Sequence, residues 1–138
     1  MIPGLVFILF VVVHLLRFIL RAPQVNTEVL CAGIATYLML GLLWAFAYIL
    51  VARVVPGAFA FTVGNASEHV FQGFNGVYFS FVTLTTVGYG DIVPVAPAAR
   101  MLAMMESMVG TIYMAVLISR LVALHSADAT QKNEANKQ

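Results

Sequence analysis

The residues with chemistry to offer are Thr85-Thr86-Val87-Gly88-Tyr89-Gly90-Asp91, a polar strip with alternating glycines between two strongly apolar stretches. Glycine accepts positive φ without a Cβ clash, so Gly88 and Gly90 permit ordinary and left-handed conformations to alternate. Such an alternation turns consecutive carbonyls to one side, whereas a regular strand points them to opposite sides. A column of carbonyl oxygens suits a hard cation that has shed its water. A short helix ending just before the strip would aim the negative end of its dipole at the same place. The chemistry on offer is cation coordination, with no covalent step. The sequence supplies no nucleophile with a base, no carboxylate pair and no His/Cys metal cluster, so it does not read as an enzyme.

The elements that hold the strip follow from composition. Of 138 residues, 62% are hydrophobic and 9% charged, far from a soluble domain and typical of an integral membrane protein. A net charge of +1 with no dense Lys/Arg run excludes a nucleic-acid footprint, and no small-molecule ligand is evident. Cys31, the single cysteine, reads as a small apolar filler. Three apolar segments, Ile2–Leu20, Val29–Val51 and Met101–Leu124, approach or exceed the roughly 20 residues that cross a bilayer. The second carries no charge between Glu28 and Arg53 and is a transmembrane helix. The first is interrupted by His14 and Arg17 but lacks the basic start of a secretory signal, and we expect a third membrane helix. Between the second and third segments, "VVPGAFAFTVGNASEHV" reads as an exposed loop. The following "GFNGVYFSFVTLTT" is too short to span and suits a re-entrant helix. Arg17, Arg21, Arg120, Lys132 and Lys137 on one side outweigh Arg53 and Arg100 on the other. The positive-inside rule therefore places the linker and tail in the cytoplasm and the N-terminus and loop outside.

Non-helical backbone survives at membrane depth only where it is buried in protein or lines a wet path, since each unpaired polar group in hydrocarbon costs several kcal/mol. With this setting in place, Thr85–Asp91 resembles the signature of potassium channels. The resemblance covers roughly residues 29–124 and is greatest to the small bacterial two-helix channels; the first segment lies outside it. It implies an all-α membrane protein with an N-terminal helix (1–22), a cytoplasmic linker (23–28), an outer helix (29–52), an outer loop (53–72), a pore helix (73–85), a selectivity filter (86–90), an inner helix (99–124) and a polar tail (125–138). It further implies coordination of K⁺ by the carbonyls of Thr86, Val87, Gly88 and Tyr89 and the Thr86 hydroxyl, with Gly90 closing the filter. One chain supplies one wall, so the resemblance implies three further copies around a homotetrameric pore in a bacterial inner membrane. Tyr89 would brace against Tyr78 and Phe79, with Thr83 and Thr85 behind it and Asp91 at the outer mouth. The expected function is passive K⁺ conduction, with a weakly selective cation channel or the pore subunit of a K⁺ uptake system as alternatives.

Two departures from the family pattern stand out. Some of its small channels carry a glutamate on the pore helix behind the filter, where this chain has Val82. Instead Glu106 sits in the last apolar segment, where an ionisable residue is costly and a functional candidate. The family's cavity positions fall at Thr111, Met114 and Ile118 on one helical face. Glu106, five residues before Thr111 and so about 140° around the helix, should point away from the cavity. We expect it behind the filter, accepting hydrogen bonds from Ser80, Thr83 or filter N–H groups. Gly110 is expected as either an inner-helix hinge or a close-packing position, Gly33 and Gly41 as packing glycines, and Trp44 as interface filler. The tail from Ser126 to Gln138 is too short for a folded regulatory domain, and His69 and His125, which titrate near neutral pH as free imidazoles, are candidate proton sensors.

Overall fold

The computed structural model describes residues 2–21, 27–63 and 71–135. The linker residues 22–26, the sequon-like Asn65-Ala66-Ser67, His69 and the side chain of His125 lie outside the described set. In chain order the elements are α1 (Ile2–Arg21), α2 (Thr27–Val54), β1 (Phe59–Phe61), α3 (Phe74–Leu84), β2 (Ile92–Pro94) and α4 (Pro97–Ala135). Among the described residues the architecture is all-helical apart from one small two-stranded β ladder.

Among the described residues two helices have the length and apolarity to cross a bilayer, Glu28–Val54 and Pro97–Ala123, whereas the apolar part of α1, expected as a third crossing, is the shorter Val6–Arg17. Helix α2 carries Glu28 in its first turn and Arg53 in its last, each charge opposing the adjacent end of the helix dipole. Helix α4 opens on Pro97, whose missing N–H costs nothing at a helix start. It does not stop near Leu124: from Thr111 to Ala135 no Gly or Pro interrupts it, and the polar end is rich in Ala, Gln, Lys and Glu, all good helix formers. Residues 125–135 of the expected tail are therefore backbone-continuous with α4.

Helix α1 packs antiparallel on α2. Ile8, Val12, Leu15 and Ile19, at helical spacings of four, three and four, form its inward stripe; Val12 packs with Leu40, and Ile19 with Val29 and Ala32. Small residues allow the close approaches elsewhere. A Cβ on Gly33 would lie 3.1 Å from Leu117, and one on Gly41 would lie 2.8 Å from the Phe81 ring. Both are packing positions, as their sequence context suggested. Trp44 likewise fills an interface: it packs against the cluster that holds Phe79 and the one that holds Val12 and Leu84, with its ring 6.4 Å from that of Tyr48 on the same helix.

The outer segment read as loop is partly a strand. Residues Phe59, Ala60 and Phe61 pair antiparallel with Pro94, Val93 and Ile92. A three-residue strand between Pro56-Gly57 and a polar run carries no local signal strong enough to identify it; its partner lies some thirty residues away. Pairing turns Phe59 inward, onto Phe71 (centroids 3.8 Å, stacked) and edge-on to Phe79 (5.3 Å) and Tyr48 (5.8 Å). This aromatic core fixes the outer ends of α2 and α3 and carries the segment after the filter.

Candidate ion-coordination site

Helix α3 is 11 residues long and ends immediately before the strip. Its end is a Schellman motif: the Val87 N–H donates to the Val82 carbonyl (3.0 Å) and the Thr86 N–H to the Thr83 carbonyl (3.0 Å). That motif needs a left-handed residue just past the helix cap, and Thr86 supplies it with φ 59°. Gly88 (φ 58°) and Gly90 (φ 80°) continue the reversal at every second residue. The backbone thus adopts the alternation expected for the strip, beginning one step earlier than the glycines. A β-branched residue at positive φ costs about 1–3 kcal/mol and persists only where its surroundings enforce it. Its sequence signal is indirect, because only the Schellman geometry after Leu84-Thr85 would place the reversal on a threonine. Thr85 itself caps α3 and donates its hydroxyl to the Phe81 carbonyl (2.6 Å).

The outer end of the strip is held from two sides. The Thr62 hydroxyl, just past β1, donates to the Gly90 carbonyl (2.7 Å), and the Thr62 N–H to the Asp91 carbonyl (2.9 Å). The Gly90 carbonyl is thereby engaged by the outer strap. Thr62 carries no sequence signal at all, since its role depends on the β1–β2 pairing. On the other side the Tyr78 hydroxyl donates to Asp91 Oδ2 (2.7 Å), while Asp91 Oδ1 accepts the Ile92 N–H (3.0 Å). The hydrogen bond to the Asp91 carboxylate, with burial a smaller cause, pushes the Tyr78 phenol up to about 12, so the donor keeps its proton through neutral pH. Phe79 turns away into the aromatic core, edge-on to Tyr48 at 4.9 Å. Tyr78 thus holds Asp91 and Phe79 anchors α3 in the aromatic core, while Tyr89, expected to brace against both, is exposed in the single chain. Tyr78→Phe keeps the ring and removes the donor. With Asp91 left only the Ile92 N–H on that side, the variant should show a lower midpoint of thermal unfolding in detergent than the parent protein.

Behind α3 lies Glu106, fully buried and pointing away from the Thr111 side as its spacing requires. Its Oε2 is 2.5 Å from the Tyr48 hydroxyl and its Oε1 2.5 Å from the Ser80 hydroxyl. Ser80 was an expected partner. Thr83 is not one: the hydroxyls bonded to Glu106 are those of Tyr48 and Ser80, and Thr83 is engaged through its carbonyl, which accepts the Thr86 N–H and the Ser107 hydroxyl (3.3 Å). Nor do filter N–H groups reach Glu106, because Val87 and Gly88 both donate to the Val82 carbonyl. Tyr48, 58 residues from Glu106, is the partner that spacing could not reveal.

Gly110 packs against the C-terminal end of α3. A Cβ there would lie 2.6 Å from the Leu84 carbonyl oxygen, which also accepts the Tyr37 hydroxyl at 3.3 Å. Tyr37 stacks on Tyr113 (centroids 5.8 Å), whose hydroxyl donates to the Gly33 carbonyl (2.7 Å). Thr111, Met114 and Ile118 share an exposed face of α4, with the Thr111 hydroxyl bonded to the Ser107 carbonyl.

The profile of a family described as "Ion channel" matches residues 27–126. Curated relatives include "Two pore potassium channel b" of Oryza sativa subsp. japonica, 32% identical over 107 residues, or 64% of this chain and 30% of the relative. "Inward rectifier potassium channel Kirbac3.1" of Paramagnetospirillum magnetotacticum is 30% identical over 91 residues, 63% of this chain and 26% of the relative. "Potassium voltage-gated channel protein shk-1" of Caenorhabditis elegans is 41% identical over 46 residues, 33% of this chain and 9% of the relative. The chain spans less than a third of the length of each.

Proposed function

Because the chain belongs to the ion channel family, in its potassium-channel pore-domain branch, we propose that it forms a passive, K⁺-selective pore from four identical copies. The observation that carries the reading is the left-handed backbone at Thr86, Gly88 and Gly90, set at the C-terminal end of a half-length helix. Alternation of this kind turns the intervening carbonyls to one side, and the carbonyls of Thr86, Val87, Gly88 and Tyr89 with the Thr86 hydroxyl are the proposed K⁺ ligands. Gly90, its carbonyl occupied by Thr62, acts through its conformation.

A single chain leaves the strip exposed, with Val87 half-exposed and Tyr89 at 72%. Exposed backbone at membrane depth is untenable, so the strip needs partner copies to bury its outer side and close the ring. Thr111, Met114 and Ile118 then line the cavity below. The chain is a membrane protein, and the charge bias favours N-terminus outside, the α1–α2 linker and tail in the cytoplasm, and α1 as a third crossing. No step in this function makes or breaks a covalent bond.

The test is reconstitution of the purified protein in liposomes, with K⁺-driven and Na⁺-driven flux compared with and without barium. A barium-blocked K⁺ flux well above that of Na⁺ is expected. Equal fluxes would turn the reading to a weakly selective cation pore, and no flux would defeat conduction by this chain alone. The detergent-solubilised mass should correspond to four chains; a stable monomer would rule out the ring.

A further inference from the structure

We infer that Glu106 works as a neutral carboxylic acid, donating its own proton to Ser80 and so tying the outer, pore and inner helices into one hydrogen-bonded line behind the filter. This rests on the channel reading only for its consequence, not for its geometry.

Three oxygen–oxygen contacts meet at this buried point. Tyr48 Oη lies 2.5 Å from Glu106 Oε2, Ser80 Oγ 2.5 Å from Glu106 Oε1, and Ser80 Oγ 2.7 Å from the Gly41 carbonyl oxygen. Each contact needs one proton between its oxygens. Tyr48 and Ser80 bring one each, and the Gly41 carbonyl brings none. With an ionised Glu106, two protons must serve three contacts, and one buried oxygen pair would face each other bare.

A proton on Glu106 completes the set in only one arrangement. On Oε2 it would compete with the Tyr48 proton and leave Ser80 with two acceptors still. On Oε1 it is donated to Ser80 Oγ, which frees the Ser80 proton for the Gly41 carbonyl, while Tyr48 donates to Oε2. The line then runs Tyr48 to Glu106 to Ser80 to Gly41, from α2 through α4 and α3 back to α2, with every proton used once.

The surroundings agree with a neutral acid. Glu106, Tyr48 and Ser80 are all fully buried, and an isolated charge in such a site is expensive. The groups that bear on the carboxyl are Tyr48 and Tyr37 from α2 and Ser80 from α3; no Lys, Arg or His among the described residues pairs with it. Since Ser80 lies about one turn before the Schellman end of α3, the line fixes the helix whose terminus launches the strip. Glu106 is in this sense a positioning residue: it touches no ion and acts through Ser80.

An amide can copy a neutral acid and cannot copy a carboxylate. In Glu106→Gln the amide oxygen accepts from Tyr48 and the amide N–H donates to Ser80, so K⁺ flux at neutral pH should stay within about threefold of the parent protein. Glu106→Ala should lose about tenfold or more, because the buried Tyr48 hydroxyl is left without its acceptor and Ser80, though still bonded to the Gly41 carbonyl, loses its tie to α4. The direct readout is infrared: the parent-minus-Gln difference spectrum should contain the carbonyl stretch of a protonated acid, shifted in D₂O. Parent flux should also fall as alkaline pH removes that proton, with the Gln variant flat across the same range. A carboxylate band at neutral pH, or a Gln variant that keeps its assembled mass but loses flux as Ala does, would overturn the inference. The infrared result stands whether or not the protein conducts, so a failed channel reading and a failed protonation reading are separable.

Discussion

Gly110→Ala should unfold or disassemble the protein rather than stiffen a hinge. Alanine is the better helix former by about 1 kcal/mol, so in an unconstrained helix the change would stabilise. Here the new Cβ would lie 2.6 Å from the Leu84 carbonyl oxygen and 2.8 Å from Leu84 Cδ1. The first of these is main chain at the end of the pore helix, which cannot rotate away as a flexible side chain does. Overpacking costs about 1–3 kcal/mol, and a clash with backbone belongs at the upper end, leaving a net loss of about 2 kcal/mol per chain. The displaced carbonyl also belongs to the turn that places Thr86. Thermal unfolding in detergent, with assembled mass recorded beside it, should show a lower midpoint and a smaller assembled fraction. Gly33→Ala gives the scale: its Cβ would meet only the Leu117 side-chain end at 3.1 Å, and the loss there should be much smaller. A Gly110→Ala protein of parental stability with altered open probability would restore the hinge reading.

The contrast between Gly110 and Glu106 shows which parts of this site a sequence can carry. The two long apolar helices and the short α3 were legible because hydropathy and length are local properties, and the strip because its glycine spacing has one economical backbone solution. The facing of Glu106 was legible too, since helical periodicity alone turns it from Thr111. Its partner Tyr48 was not, because which residues of α2 meet α4 depends on how the two helices cross. The same limit hides the Thr62 strap, which exists only once β1 and β2 have paired across the whole pore helix. Gly110 was ambiguous for a related reason: a mid-helix glycine reads alike whether it bends or packs, and only the nearness of Leu84 decides for packing.

Gly88→Ala should abolish selective K⁺ flux while costing little in the fold of the single chain. Gly88 sits at φ 58°, where an L-residue costs roughly 1–2 kcal/mol. Within one chain an added Cβ meets nothing within 4 Å, so no packing clash is added to that strain. The functional loss arises from position: in the proposed ring, each of four copies would have to hold an unfavourable conformation at a carbonyl that faces the ions. Relaxing even one of them toward negative φ turns that carbonyl away and removes a ligand. Gly57 offers the control, since it has φ 74° and open space for a Cβ, but lies in the turn before β1. Gly57→Ala carries similar backbone strain outside the strip and should leave flux near the parental level. Measured side by side in liposomes, loss in Gly88→Ala alone would tie the left-handed backbone to ion passage. Equal loss in both would reduce the effect to general strain, and retained K⁺ selectivity in Gly88→Ala would remove the carbonyl column as the basis of conduction.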